Sequence, residues 1–162
     1  MDGKIKDELR KYAEIYENGN EIGLEFGVRT HDYLRISVSP TENGQKVVIR
    51  QVKSEGSITV VLNDGKDGVD VEVGKKHVGT IPGYRITEID RDTDEKGLIV
   101  KLGKYESHEN DEGSGSTGIV SVMFPNAEVF RRVYSEAGES TKKFLENGLK
   151  NGTVRIYDKC CL

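Results

Sequence analysis

Residues 108–118, HENDEGSGSTG, set one histidine and several carboxylates directly ahead of a glycine–serine run. Phosphate cradles and metal loops both draw on such residues. A nucleoside-phosphate loop needs a Lys followed by Ser or Thr, because the lysine reaches the phosphates and the hydroxyl meets magnesium. Here the glycines lead into Ile119-Val120 with no lysine. A strand rather than a helix would follow, and the phosphate would lose the N–H groups of a helix N-terminus. As a metal loop the stretch offers His108, Glu109, Asp111 and Glu112. Adjacent acids in a flexible loop rarely converge on one ion, so residues 106–118 read as an acidic Gly/Ser connection, long enough to serve as a contact surface.

Asp90, Asp92 and Asp94 in DRDTDEKG make a better calcium candidate, since carboxylates at alternate positions are how calcium loops begin. The match then stops. Glu95 stands where the glycine is expected, Lys101 replaces the bidentate glutamate, and strand-like runs flank the turn. Asn63, Asp64, Asp67 and Asp70 fit less well, because Gly65 takes a ligand's place. The expectation is therefore of no cofactor, with the 90–94 turn as the one metal site worth testing.

The three histidines, His31, His77 and His108, lack the spacing that builds a zinc site on one element. His31-Asp32 has the makings of an oriented base, yet a base needs a nucleophile or a substrate pocket beside it. A polar hollow lined by His31 or His77 with clustered carboxylates is the arrangement that would speak for a reaction. Without it, no catalytic residue is assigned. A ligand pocket between sheet and helices would have its lip at 75–84, KKHVGTIPGY, using His77, Tyr84 and Arg85, because Gly79, Pro82 and Gly83 shape a rigid loop beside polar groups. Gly23 and Gly27 flank Glu25 on the polar side of an alternating strand, where glycine marks close approach by another backbone. That strip is the candidate self-association surface.

Cys160 and Cys161 are adjacent, which suits no spaced disulfide framework, and Lys159 occupies the position at which prenylation requires cysteine. Arg131, Arg132, Lys142 and Lys143 could form a basic stripe, but Glu128, Glu136, Glu139 and Glu146 interleave with them. That pattern is a solvated helix face with ion pairs one turn apart.

Elements must position these groups. Ile5, Leu9, Tyr12, Ala13 and Tyr16 recur three or four apart, predicting an amphipathic helix over 4–17 stopped at Asn18-Gly19-Asn20. In EIGLEFGV, Ile22, Leu24, Phe26 and Val28 alternate with polar or small residues, the cleanest period-two signal in the chain. Further strand-like runs follow to Phe124, separated by ENGQ, SEGS, NDGKDG, IPG and DTDEKG, links too short for crossover helices. After Pro125-Asn126 the period changes. Val129, Phe130, Val133, Tyr134, Ala137, Thr141, Phe144 and Leu145 predict one helix over 126–147, or two if it breaks at Gly138, then a last strand in TVRIYDK.

The fold expected is α+β in a single domain, 1–162. It is a largely antiparallel sheet of eight to nine strands, with an N-terminal helix and a longer C-terminal helix packed on one face. A strongly curved or barrel-like sheet is the rival. The 162 residues suffice for a core without disulfide or metal. A net charge of −4 gives no global attraction to nucleic acid or an anionic membrane, and no apolar run approaches the ~20 residues that span a bilayer. With no leader-like start, a soluble cytoplasmic protein is expected. The function expected is a non-enzymatic module for protein contacts, self-assembling into a homo-oligomer or joining a larger assembly. The alternatives are a small-ligand binder or enzyme with a pocket, and a calcium-binding domain.

Overall fold

A computed structural model describes residues 1–93, 97–104 and 119–157. Among these residues the chain runs α1 (Gly3–Leu9), β1 (Glu14–Asn18), β2 (Glu21–Phe26), β3 (Tyr33–Thr41), β4 (Gly44–Lys53), β5 (Gly56–Asp64), β6 (Gly68–Val73) and β7 (Lys76–Pro82). It continues through β8 (Tyr84–Thr93), β9 (Gly97–Lys104), β10 (Ile119–Phe124), α2 (Ala127–Glu136), α3 (Glu139–Asn151) and β11 (Val154–Ile156). The class is α+β and the sheets are mainly antiparallel, as the alternating runs and short links require.

The layering differs from a single sheet under two helices. The strands divide into a seven-stranded sheet, order β11-β10-β3-β4-β5-β6-β7, and a four-stranded sheet, order β1-β2-β9-β8, neither closed into a barrel. Their apolar faces share one core. Leu34, Ile36, Ile49, Leu62 and Val71 from the large sheet and Ile22, Leu24, Phe26, Val100 and Leu102 from the small one are all fully or almost fully buried. Ile5 and Leu9 of α1 join the same core, and Ile5 packs against Gly79 of β7. The C-terminal helices lie on the opposite face of the large sheet. Along β10, Met123 points into the shared core while Val122 and Phe124 point away, into a second cluster with Leu145, Val154, Phe130 and Phe144. Alternation along one strand thus assigns α1 and the α2–α3 pair to different sides.

Two local expectations, at 14–18 and at 75–84, are corrected, and the choice left open at Gly138 is decided. Residues 14–18 form strand β1 rather than the end of a helix. Only Ile5 and Leu9 of that stripe are buried on α1, and Glu14–Asn18 instead pairs with β2 through a tight hairpin in which Gly19 takes φ 62°. The 126–147 stripe breaks at Gly138 into α2 and α3, with Ala137 and Gly138 both extended. The 75–84 segment is strand β7 and a corner rather than a loop, since Lys76–Pro82 pairs with β6 around a bulge at Val71/Glu72.

Candidate functional site

β4 carries the decisive irregularity. Its inward positions run Val47, Ile49 and then Gln51, so a polar side chain takes an apolar place at the end of the strand and is only 1 % exposed. Gln51 Nε2 donates to the Tyr12 carbonyl at 3.1 Å, whereas Gln51 Oε1 has no partner. A buried acceptor without a donor costs about 1–3 kcal/mol, so it calls for an explanation.

Gln51 lines a hollow of about 550 Å³ walled by Lys11, Tyr12, His31, Lys53, Ser57 and Ile58. A neighbouring hollow of about 390 Å³ has Arg29, Asp32, Ser54, Pro125, Asn126 and Val129 around it. Thr30, His31, Lys53 and Glu55 belong to both, so the two form one trough across a shared ridge. The connection after β2 supplies Arg29 to Asp32, and backbone bonds pin it: His31 N–H donates to the Val28 carbonyl at 3.2 Å and Asp32 N–H to the Val52 carbonyl at 2.7 Å. The β4–β5 hairpin, closed at Lys53 and Gly56, supplies Lys53 to Ser57. Asn126 caps α2 by accepting from Val129 N–H at 2.9 Å, which fixes the far wall.

A second orphan lies on the ridge. His31 Nδ1 is buried and has no hydrogen-bond partner. Burial first, then the Lys53 ammonium, pull the His31 pKa below its ordinary value, against the opposing pull of Asp32. The imidazole is therefore neutral near pH 7, with one ring nitrogen donating and one accepting. In an NMR titration His31 should protonate below the ordinary histidine range, and Lys53→Gln should move its midpoint up. The sign for stability follows. A depressed folded pKa means the unfolded chain binds the proton first, so His31 contributes stability above the ordinary histidine value and loses it as pH falls below that value. A midpoint at or above the ordinary value would contradict the buried placement.

His31 and Asp32 do not make an oriented base. The Asp32 carboxylate accepts from Arg132 Nη2 at 3.2 Å, across from α2, and leaves His31 Nδ1 unserved. A polar hollow with His31, Asp32 and Glu55 on its lining is present, the arrangement that the sequence marks as speaking for a reaction; among the described residues no hydrogen bond joins a nucleophile to a base there.

The chain was compared with known protein families, curated proteins and solved structures. It matches none.

The other sequence-derived candidates are placed elsewhere. His77, 63 % exposed, lies on β7 of the large sheet with Nε2 3.9 Å from Asp70 Oδ1. Tyr84 and Arg85 start β8 in the small sheet, beyond the corner at Gly83, and line neither hollow of the trough. Gly23 sits on an inner strand, between Tyr16 of β1 and Lys101 of β9, so its backbone edge is already paired. Glu25 is flanked in the same way by Glu14 and Ile99, and Gly27 follows the strand, exposed. Asp90 faces Ile99 and Asp92 lies further along β8. Asp94, the 106–118 loop with His108, and Cys160-Cys161 lie outside the described residues. Among the described residues no three His, Cys, Asp or Glu side chains gather as a metal set, and no helix is long and apolar enough to cross a membrane.

Sequence reasoning passed over Gln51. The signal was there, a glutamine on the in-facing register of KVVIRQVK, but it carries weight only once the sheet shows which register faces in.

Proposed function

We propose that this protein is a small-ligand-binding domain whose site is the trough between residues 29–32, 51–58 and the end of α1. The observation that carries the reading is Gln51 Oε1, an acceptor almost sealed from solvent, unpartnered, on a residue that lines the larger hollow. Among the described residues three buried side-chain atoms lack a partner: Gln51 Oε1 and His31 Nδ1 belong to residues that line the trough, and Asn63 Oδ1 lies apart on β5. Two of the three gather at one hollow, where a ligand would supply the missing partners. The volume fits a small organic molecule. The pairing of Asp32 with Arg132 favours binding over catalysis, since it removes the carboxylate that would orient His31.

Surface composition points the same way. Large apolar side chains that are exposed among the described residues are Tyr16 on β1 and Leu149 on α3, two separate elements rather than a patch. Protein-contact faces usually present contiguous apolar area. The reading as a contact module has no comparable observation behind it.

A mixed fragment library titrated into isotope-labelled protein tests the proposal. The expected result is saturable shifts confined to the backbone amides of 29–32 and 51–58. Gln51→Leu should abolish or redirect them while changing unfolding free energy by no more than about 1 kcal/mol, because the loss of the bond to Tyr12 offsets removal of the orphan. A library that leaves those amides unmoved would refute the site.

A further inference from the structure

The side chains around the trough restrict what it can hold. Lys53 and Arg29 make no ion pair among the described residues, and both line the smaller hollow. Lys11 at the outer wall engages Glu8 at 3.4 Å, and Asp32 is neutralised by Arg132. With Lys11 and Asp32 so paired, Arg29 and Lys53 set against Glu55 leave one positive charge in excess around the lining. That balance suits a singly charged anion better than a phosphate dianion, which would also meet the Glu55 carboxylate. At the other end, Gln51 Oε1 can only accept, so the ligand must bring a donor there. An ammonium donor would face Lys11 and Lys53 in the same hollow, and like charges repel, so the donor is a neutral one. Ile58 and the ring of Tyr12 offer apolar surface for the ligand's remainder. Gln51 Oε1 and His31 Nδ1 are sealed from solvent, so seating a donor on either requires side chains of the wall to move.

We infer that the ligand is a hydroxycarboxylate-type molecule, a small monoanion carrying a neutral hydrogen-bond donor, with its carboxylate at Lys53 and Arg29 and its hydroxyl at Gln51. This rests on the ligand-binding reading above and adds the ligand's chemical class. The arrangement assigns one job to each residue. Lys53 and Arg29 select the charge, and Gln51 selects the donor. A site built to hydrogen-bond a hydroxyl rejects the analogue lacking it, because the buried acceptor is then left unpaired.

Three matched probes separate these roles: 2-hydroxy-4-methylpentanoate, 4-methylpentanoate without the hydroxyl, and 2-hydroxy-4-methylpentanamide without the charge. Each is titrated to ~10 mM, the weak end of specific recognition, following the amides of 29–32 and 51–58 in the full chain. The hydroxy acid should give saturable shifts, with the other two at least ~10-fold weaker, which corresponds to about 1.4 kcal/mol. Gln51→Leu should bring the hydroxy acid down to the level of the deoxy acid. Lys53→Gln, at an exposed position that the fold does not depend on, should bring it down to the level of the amide. Equal binding of all three probes, or no shift from the hydroxy acid, overturns the ligand class. The fragment library distinguishes that failure from failure of the site: fragments that still move these amides leave the trough a binding site for another chemistry, and fragments that do not remove both.

Discussion

Replacing Asp64 with alanine is expected to lower the free energy of unfolding by about 2–4 kcal/mol, more than its place in a hairpin-rich, charged segment would suggest. Asp64 ends β5 with 5 % of its surface exposed, and its two oxygens are committed to backbone donors of different strands. Oδ1 accepts from Ile86 N–H of β8 at 2.8 Å, and Oδ2 accepts from Gln45 N–H of β4 at 2.8 Å. One side chain therefore ties the large sheet to the edge of the small one, and Gln45 Nε2 reaches the Ile86 carbonyl at 3.5 Å in support. Removing the carboxylate leaves two donors without partners, one of them fully buried. Asp64→Asn keeps a single acceptor and turns an amide N–H₂ toward the other donor, so its loss should be smaller, about 1–2 kcal/mol.

The pH dependence has a definite sign. Burial, the largest influence, raises the Asp64 pKa above the ordinary carboxylate value, opposed by the two backbone donors and by Arg85. The folded chain then holds this proton to higher pH than the unfolded one. The contribution of Asp64 to stability is accordingly greatest in acid and declines as pH rises from the ordinary carboxylate value through the raised one. Urea unfolding of wild type and both variants across acidic and neutral pH reads all of this. A loss below 1 kcal/mol for the alanine variant would mean that water serves the two donors. The turn is built around the same group. Gly44 takes φ 146°, and a Cβ there would come within 2.3 Å of Asp64 Oδ2, so the ENGQ turn needs glycine as much for the carboxylate as for the bend.

Phe124→Ala is expected to cost about 3–5 kcal/mol, the range for emptying a filled aromatic site. For a chain of this size that is a fall in Tm on the order of 10 °C. Phe124 is fully buried at the end of β10, with its ring centroid 5.2 Å from Tyr33 and 5.1 Å, edge-on, from Phe130. The second core is small, and Val122, Leu145 and Val154 are the other fully or nearly buried residues in it. Loss of Phe124 should therefore loosen α2 and α3 before the core shared by the two sheets, so that helical circular dichroism melts ahead of the sheet signal. Coincident melting with little change in Tm would show that the helix pair is held by other contacts. Because Val129 and Asn126 wall the smaller hollow, the same substitution should also weaken whatever the trough binds.

Much of this architecture is legible in the sequence. Alternation in EIGLEFGV marked β2 and the face that Ile22, Leu24 and Phe26 bury, and the turn signals between the later runs implied antiparallel neighbours. The stretch 4–17 misled because two registers overlap in it. Ile5 and Leu9 follow a helical period and Ile15 a strand period, and an edge for Glu14–Asn18 to pair with exists only once β2 is in place.

The sequence by itself determined which residues are apolar, how often they repeat and where the chain can turn, and those local rules decided the α+β class and most of its strands. Only the tertiary structure decided that the strands part into two sheets, that α1 and the α2–α3 pair lie on opposite sides of the larger one, and that Asp32 turns to Arg132 instead of His31. It also decided that Gln51 ends inside, without a partner for Oε1, beside a hollow. The reason is physical. Periodicity is a property of neighbours along the chain, whereas a pairing 100 residues apart or an acceptor stranded under a cavity depends on which faces meet, and packing alone fixes that.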